Sequence, residues 1–260
     1  MSEVVIKNLS KSFDDNVVLD GISLKINEGE NFVVFGRSGT GKSVLLKCIV
    51  RLMEPDAGEI LIESQNVLTL SINKLNEIRK HIGFLFQGAA LYDSMSVREN
   101  LAFPLIRNFN FSSKEIDIKI KNVLEKVSLL DAIDKMPAEL SGGMKKRIGL
   151  ARTIITEPRL ILYDEPTTGL DPITSKEISQ LIVELQKDLN TTSIIVTHDL
   201  ICAKIIASHA VVLKDGKIRY EGNLDSLTSQ DDPFLKDFFS NDIISESTPI
   251  RSGEVKDGSN

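Results

Sequence analysis

Short apolar runs alternate with longer amphipathic stretches along the chain. In the first quarter, apolar residues that alternate or cluster between turn signals predict two strands, over residues 4–9 and 17–26. Further strands are predicted over residues 32–35, 59–62, 82–86, 160–164 and 192–197. The run Leu160–Asp164 is apolar enough to be buried on both faces, as a central strand of a parallel sheet would be. The pattern predicts an open α/β sheet with a small β-layer before it.

Apolar residues at helical spacing mark the stretches between these strands. Ser112 and Glu115 form a potential capping box, and the apolar stripe after them predicts a helical insertion over about residues 88–156. Another helix is predicted over residues 173–189, with Pro172 in its first turn. The last predicted elements are a hairpin over residues 210–221 and a short helix over residues 233–239.

Composition places the chain among ordinary globular proteins. It has 260 residues, of which 42% are hydrophobic and 26% are charged, so a sizeable core is available. A net charge of −6 and a pI near 5.3 give no support for a nucleic-acid partner. The compact basic run of Lys145, Lys146 and Arg147 is interpreted as a solvated helix face. Cys48 and Cys202 lie in apolar helical pattern and are predicted to be reduced and buried.

The sequence carries no membrane signal. The first residues lack a basic segment followed by an apolar one, and nowhere do roughly 18 apolar residues run together. We therefore expect a cytoplasmic chain that does not itself cross a membrane. Residues 245–260 are mostly Ser, Gly, Asp, Glu and Lys, which predicts a flexible or partner-docked tail. The predicted organisation is one domain over residues 1–240 and a tail over residues 241–260.

A glycine-rich loop follows the predicted strand at residues 32–35 and matches the pattern G-x-x-x-x-G-K-[ST]. Its backbone N–H groups can surround the phosphates of a nucleotide, because glycine has no Cβ to block the approach. A helix that starts near Lys42 adds the positive end of its dipole. Lys42 is predicted to reach the β- and γ-phosphates, and the Ser43 hydroxyl to bind Mg²⁺. The loop consists of Gly36, Arg37, Ser38, Gly39, Thr40, Gly41, Lys42 and Ser43.

Polar residues at the carboxyl ends of other predicted strands extend this chemistry. Asp164 ends an apolar strand and can hold the Mg²⁺ shared with Ser43, while Glu165 can polarise an attacking water. Gln87 can bind Mg²⁺ or a water without adding charge, and His198 stands on the ligand edge of an open sheet. The alternatives are two solvent-exposed acids, a surface glutamine and a structural histidine.

Two further signals allow two interpretations each. Ser141, Gly142 and Gly143 stand at a predicted helix N-terminus, where free N–H groups and a hydroxyl suit a phosphate and equally suit a simple helix cap. Phe13 stands beside a turn, where its ring can lie over an adenine face or belong to the core. Its spacing alone favours the core.

Taken together, these motifs resemble the nucleotide-binding subunit of an ABC transporter, with every motif of the family in order over residues 4–239. The resemblance implies a P-loop NTPase core of the ABC ATPase type, with an antiparallel β-subdomain and a helical insertion. It also implies an ATP hydrolase that uses Mg²⁺ and pairs head to tail with a second copy of itself. Each ATP then lies between the glycine-rich loop of one chain and Ser141 of the other.

The family pattern also implies roles for single residues. Phe13 is the adenine-stacking aromatic, residues 36–43 are the Walker A loop, and Val44 follows where many members carry a second hydroxyl. Gln87 is the Q-loop residue and residues 140–144 are the signature, which includes Ser141, Gly142 and Gly143. Asp164 is the Walker B aspartate, Glu165 the catalytic glutamate, Asp171 the D-loop residue and His198 the switch histidine.

Residues 36–47, 87–95 and 140–144 resemble one branch of the family, the maintenance-of-lipid-asymmetry (Mla) type, which transports phospholipid with Mce-domain proteins. That resemblance implies a membrane permease and an Mce-domain protein as partners, and a peripheral position on the inner face of the inner membrane. In the family, the segment after Gln87 touches the permease, which predicts docking through the surface around residues 88–95. The alternatives are a polar amino-acid importer, a soluble ABC ATPase of DNA repair or translation, and a P-loop kinase or GTPase.

Overall fold

The computed structural model describes the backbone of residues 3–244 and the side chains of residues 3–239. Most of the predicted tail lies outside the described residues, and residues 241–244 continue the last helix. The strands are β1 (Val4–Phe13), β2 (Asn16–Ile26), β3 (Asn31–Phe35), β4 (Ala57–Ile62), β5 (Gln65–Asn66), β6 (Ile82–Leu85), β7 (Leu160–Asp164), β8 (Thr192–Thr197), β9 (His209–Lys214) and β10 (Lys217–Gly222). The α-helices are α1 (Lys42–Ile49), α2 (Ile72–Arg79), α3 (Val97–Asn108), α4 (Ser113–Lys126), α5 (Gly142–Ile154), α6 (Pro172–Leu189), α7 (Leu200–Ile206), α8 (Leu224–Thr228) and α9 (Pro233–Ile244).

A six-stranded sheet forms the centre of the molecule, in the order β10-β9-β3-β8-β7-β6. The strands from β9 to β6 are parallel, and β10 pairs antiparallel with β9 at the edge. Val33 and Phe35 of β3 join a core on one face of the sheet, whereas Phe32 and Val34 join a core on the other. A strand buried on both faces needs the continuous apolar run that predicted it. The predicted α/β architecture is therefore observed.

A four-stranded antiparallel sheet packs on one face of the central sheet, in the order β2-β1-β4-β5. Val4, Ile6 and Leu9 of β1 are buried in the core that this sheet shares with α1. β1 runs beyond its predicted end because Phe13 pairs with Asn16 across the hairpin turn. This sheet is the small β-layer that the sequence predicts.

Helices α3, α4 and α5 of the predicted insertion contribute to the core on the opposite face. The predicted capping box is present at α4, where the Ser112 hydroxyl accepts from the N–H of Glu115 and the Glu115 carboxylate accepts from the N–H of Ser112. Ser96 and Glu99 form a second capping box that begins α3. The division into one domain and a tail stays a prediction.

Three short helices, α2, α7 and α8, are absent from the sequence-based prediction. α2 buries Leu75 alone among its residues, so its apolar stripe is too sparse to stand out in the sequence. α7 follows β8 almost directly, and Asp199 between them caps it. α8 spans five residues, too short for a periodic pattern.

Cys48 and Cys202 are free and buried, as predicted. Burial raises the pKa of the Cys48 thiol to about 11 and that of the Cys202 thiol to about 12. Both thiols are therefore protonated at neutral pH and are poor nucleophiles. No helix in the part of the chain that the structure describes is long and apolar enough to cross a membrane.

Candidate nucleotide site

The glycine-rich loop joins β3 to α1 at the carboxyl edge of the central sheet. Gly41 has a φ of 98°, and a Cβ on it would lie 2.9 Å from the carbonyl oxygen of Val18. A Cβ on Gly36 would lie 2.8 Å from the carbonyl oxygen of Leu213. Position 41 therefore needs glycine because its φ is positive and because a Cβ would collide with Val18. Position 36 needs glycine because a neighbouring strand lies too close for a Cβ.

Lys42 begins α1 and turns its side chain back into the loop. Its Nζ donates to the carbonyl oxygens of Gly36 at 2.7 Å and Arg37 at 3.1 Å. The same nitrogen lies 3.2 Å from Oε1 of Glu165 in an ion pair that is buried on both sides. Such a pair interacts more strongly than one in water, because little solvent screens it. The structure thereby places the predicted phosphate-binding cation inside the loop.

Ser43 and Asp164 meet although they are 121 residues apart in sequence. The Ser43 hydroxyl donates to Oδ1 of Asp164 at 2.7 Å. Burial raises the pKa of Asp164 above its ordinary value, and the hydrogen bond from Ser43 opposes that rise in part. These two groups offer the hard oxygen ligands that suit Mg²⁺, which usually takes few protein ligands and completes its shell with phosphate and water. Within residues 3–239, no three His, Cys, Asp or Glu side chains form a metal cluster.

Glu165 follows β7 in the left-handed region, with a φ of 50°. Its N–H donates to the carbonyl oxygen of Val196 at 3.0 Å, and its Oε2 lies 2.8 Å from Nδ1 of His198. Burial raises the pKa of Glu165, but the hydrogen bond from His198 and the charge of Lys42 outweigh it and hold the pKa below its usual range. Glu165 is therefore an ionised, oriented carboxylate rather than a solvent-exposed acid.

Gln87 lies beyond the end of β6 with an exposed side chain. Its backbone carbonyl accepts a hydrogen bond from Nζ of Lys146, which also donates to the carbonyl oxygen of Glu165 at 3.3 Å. The interpretation of residues 145–147 as a solvated helix face is wrong for Lys146, which is 5% exposed. A signal was present in the sequence: Lys146 precedes the buried Leu150 by four residues, so helical spacing places it on the apolar face of α5.

Ser141 of the predicted signature and Asp171 of the predicted D-loop each cap the N-terminus of a helix. The Ser141 hydroxyl accepts from the N–H of Met144 at 3.2 Å and caps α5, and Ser141 and Gly142 are exposed. The Asp171 carboxylate caps α6 by accepting from the N–H groups of Ile173 and Thr174. Both residues are helix caps, and their predicted contacts with a nucleotide stay predictions.

Phe13 stands at the tip of the β1–β2 hairpin and is 43% exposed. The core interpretation that spacing favoured is therefore wrong, and Nζ of Lys11 lies 5.4 Å from the centre of the ring. Within the loop, Arg37 reaches out to Asp237 of α9, with Nη2 2.7 Å from Oδ2. Thr40 closes the loop internally by donating to the carbonyl oxygen of Arg37 at 2.9 Å. Ser38 and Gly39 lie between them, and Val44 follows Ser43 in α1.

The family model of the ABC transporter matches residues 19–168, which span the glycine-rich loop, the signature and the two carboxylates. The chain belongs to the ABC transporter family. The predicted P-loop fold is confirmed by this match and by solved cassettes of the same fold. The predicted class of enzyme, an ATP hydrolase, is confirmed with it.

Relatives of this ABC cassette carry two kinds of name. It is 40% identical over 229 residues to the intermembrane phospholipid transport system ATP-binding protein MlaF of Haemophilus influenzae, covering 88% of this chain and 87% of that one. It is 37% identical over 256 residues to the probable ribonucleotide transport ATP-binding protein mkl of Mycobacterium leprae, covering 98% of this chain and 73% of that one. The dimeric post-hydrolysis structure of the cassette MJ0796 with ADP and Pi aligns with a TM-score of 0.78 at 33% identity, over 85% of this chain and 98% of that one.

Proposed function

We propose that this cassette is the ATP-hydrolysing subunit of a phospholipid transporter. It works as a pair with a second copy of itself and docks from the cytoplasmic side on an Mla-type permease in the inner membrane, in a complex with an Mce-domain protein. The catalytic part of the proposal rests on one observation: Lys42, Ser43, Asp164 and Glu165 converge beside the glycine-rich loop. The transport part rests on the relatives and on an exposed apolar surface.

Binding of the nucleotide begins with Lys42 in this proposal. The phosphate oxygens take over Lys42 from its ion pair with Glu165, and the N–H groups of the loop surround them. Ser43 and Asp164 would hold Mg²⁺, which would supply positive charge to neutralise the phosphate oxygens. Phe13, exposed at the hairpin tip, offers its ring to the adenine.

Glu165 then serves as the base. Once Lys42 has turned to the phosphates, the ionised carboxylate is free to orient a water and to accept its proton. His198, 2.8 Å away, keeps the carboxylate in place. The γ-phosphate needs further donors on its open side, and Ser141, Gly142 and Gly143 of a second copy supply them at the N-terminus of its α5.

The docking surface consists of Tyr92, Met95, Phe103 and Ile106, at the start of the helical insertion. Tyr92 is 45% exposed and Ile106 is 67% exposed, and the rings of Tyr92 and Phe103 lie 5.1 Å apart. Met95, Phe103 and Ile106 also line a groove of about 530 Å³, together with one acid and one base, Glu99 and Arg107. Contiguous exposed apolar residues mark sites of association. The occupant we propose is a short amphipathic helix of the permease.

The names of the relatives bear on the cargo. The chain is 38% identical over 235 residues to the MlaF protein of Escherichia coli K12, covering 90% of this chain and 87% of that one. This chain covers 87% of the MlaF proteins and 73% of the mkl protein, at 38–40% and 37% identity, which supports phospholipid over ribonucleotide as the proposed cargo class. The polar amino-acid importer has no support among these names.

Docking is tested by co-purification with the permease. Tyr92→Ala removes the exposed ring and Met95→Asp places a charge in the apolar groove, so both variants should recover less than about a tenth of the normal permease. Both should bind ATP normally as isolated chains. Leu52→Ala, which trims an exposed apolar residue elsewhere, is the control. Normal recovery with both variants would exclude this surface as the docking site.

Cargo is tested in cells that lack the gene. Loss of a lipid-asymmetry transporter should raise phospholipid in the outer leaflet of the outer membrane and increase sensitivity to detergent. Restoring the gene should reverse both effects, whereas the Glu165→Gln variant should not. An unchanged envelope together with lost uptake of a ribonucleotide or an amino acid would contradict the lipid assignment and leave the ATPase assignment intact.

A further inference from the structure

Lys146 is a buried cation that the nucleotide chemistry above does not use. It lies on the first turns of α5 and donates to two backbone carbonyl oxygens, those of Gln87 and Glu165. Among residues 3–239, no carboxylate oxygen lies within ion-pair distance of its nitrogen. Burying an ammonium without a bonded counter-ion costs free energy that a methionine of similar volume would not cost. The cost indicates a role beyond filling space.

The two carbonyl groups belong to the ends of neighbouring strands. Gln87 follows β6 and Glu165 follows β7, and these strands pair in parallel at the sheet edge. Lys146 comes from α5 in the helical insertion. One ammonium therefore ties three elements together at the point where the Q-loop residue and the catalytic glutamate leave the sheet.

The bond to Glu165 acts on a backbone in a rare conformation. Left-handed φ values are unfavourable for residues other than glycine and persist only where the surroundings hold them. The N–H of Glu165 is held by Val196, and its carbonyl oxygen by Lys146 and by the N–H of Thr168, each at 3.3 Å. This backbone conformation directs the carboxylate to Lys42 and His198. Lys146 thus influences the carboxylate without touching it.

The other end of the same segment is also held by α5. Arg152 donates to the carbonyl oxygens of Ala89 at 2.9 Å and Ala90 at 2.8 Å, and its guanidinium lies 5.7 Å from the centre of the Tyr92 ring. Residues 87–92 are therefore attached to α5 by two cations. One cation contacts the exposed Tyr92, and the other reaches the backbone of Glu165.

We propose that Lys146 is a positioning residue that couples the segment after Gln87 to the catalytic carboxylate of Glu165. This inference rests on the proposed function, in which the permease presses on Tyr92. A displacement of the segment moves the carbonyl of Gln87, and the shared ammonium passes that movement to the backbone of Glu165. Lys146 therefore sets the rate of hydrolysis and its response to the permease, and it leaves the affinity for ATP unchanged because it does not contact the phosphate loop.

The test compares three variants, first as isolated chains and then in complex with the permease. Lys146→Met keeps the apolar stem and removes the donors, so kcat should fall roughly tenfold, the scale of one lost charge-assisted hydrogen bond, with KM for ATP within about twofold. Lys146→Arg keeps charge and donors and should restore at least about half of kcat. Lys187→Met, the same change at an exposed lysine on α6, should change neither constant.

In the complex, the permease should change the hydrolysis rate of the parent chain, and Lys146→Met should lose that response. The proposal is overturned if Lys146→Met keeps kcat within about twofold of the parent, if arginine restores nothing, or if KM rises in step with the fall in kcat. Thermal unfolding of each variant identifies a general loss of structure, which would also count against a positioning role. Failure of the proposed function appears separately, as a parent chain that does not co-purify with the permease, and the kcat and KM comparison on isolated chains still decides the role of Lys146.

Discussion

The glycine-rich loop and the signature each stand at the N-terminus of a helix, yet they are built differently. Gly41 precedes α1 without a side-chain cap, whereas the Ser141 hydroxyl satisfies an N–H of its own helix α5. Beside α1, Asp164 at the end of β7 bonds Ser43. Glu165, the next residue, pairs with Lys42 and with His198, which follows β8. Ser141 and Gly142 are instead exposed.

This difference separates binding an anion from reacting with it. A helix N-terminus attracts an anion through its dipole and its N–H groups alone, as both helices can. Hydrolysis also needs a base and a counter-charge held in position. The groups proposed for these roles, Glu165 and Lys42, lie beside α1. In the proposed function, the region beside α1 is the reaction site of one chain, and the signature supplies the missing donors to the site of the other chain. Two copies arranged head to tail would join them, and a related cassette has been solved as a dimer.

The largest expected effect is on the region beside α1. Glu165→Gln removes the carboxylate that we propose accepts the proton, and it keeps the shape of the side chain. Hydrolysis should fall by about 10²–10⁴, the usual contribution of a positioned base, while ATP binding persists and the ATP-bound dimer accumulates. Steady-state turnover in the assembled complex measures the first effect, and size-exclusion chromatography with ATP measures the second.

The matched control is Glu184→Gln, an exposed carboxylate on α6, which should hydrolyse ATP at the parent rate. Turnover of Glu165→Gln within about threefold of the parent would be too small for loss of a base. Glu165 would then not be the base, and the reaction site would have to be sought elsewhere in the chain.

The next largest effect is expected from removing the ammonium group of Lys42. Lys42→Ala should weaken ATP binding roughly tenfold to a hundredfold, as expected for charge-assisted hydrogen bonds to phosphate. Equilibrium titration with a fluorescent ATP analogue measures it, with Lys204→Ala at an exposed position of α7 as the control. Equal affinity of Lys42→Ala and the parent would mean that the ion pair with Glu165 is the whole role of Lys42.

A smaller effect tests whether the two regions belong to one site. Lys42→Ala damages the loop and Ser141→Arg blocks the signature, so a homodimer of either variant has no intact composite site. A mixed dimer of the two variants has one, and it should recover up to about half of the parent's ATP occlusion if each site combines both chains. Failure to recover occlusion at any mixing ratio, with mixed dimers shown to form, would mean that the signature does not complete the site.

The sequence predicted which residues meet beside the glycine-rich loop, but it did not predict the backbone conformation that orients them. It predicted that Asp164, Glu165 and His198 meet the loop, because the carboxyl ends of parallel strands share one edge. It did not predict the left-handed backbone of Glu165, since a residue before a proline such as Pro166 prefers an extended conformation. Bonds from distant residues override that local preference.

The sequence also did not predict side-chain partners that lie on separate elements. The ion pair of Lys42 with Glu165 joins α1 to the residue after β7, and the bonds of Lys146 join α5 to the residues that follow β6 and β7. Spacing along one segment specifies neither set of partners. The cap at Ser141 was anticipated as one of two interpretations, because capping is decided within one turn of helix. Local features were thus predicted better than features that join separate elements.

The smallest expected effect contrasts one aspartate from each region through the pH dependence of unfolding. Burial raises the pKa of Asp164, so between its unfolded and folded pKa values the folded state binds more protons. Its contribution to stability is therefore lost as pH rises through that interval. The side-chain hydrogen bond from Thr174, followed by the backbone N–H bonds, lowers the pKa of Asp171, so its contribution is present above the unfolded pKa and is lost as pH falls.

At neutral pH, replacing Asp164 or Asp171 by asparagine should therefore change the free energy of unfolding in opposite directions. Asp164→Asn keeps an acceptor for Ser43 and removes a buried charge, so the nucleotide-free chain should gain roughly 1 kcal/mol. Asp171→Asn should lose stability, because a charged helix cap is replaced by a neutral one. Denaturant unfolding at pH 7 and near pH 3.5 measures both, and both differences should shrink at the lower pH.

Excess Mg²⁺ and ATP should stabilise the parent and Asp171→Asn by about 2.7 kcal/mol at a hundredfold excess over Kd, and stabilise Asp164→Asn less. A loss of stability in Asp164→Asn at pH 7 would contradict the view that the buried charge of Asp164 destabilises the nucleotide-free chain.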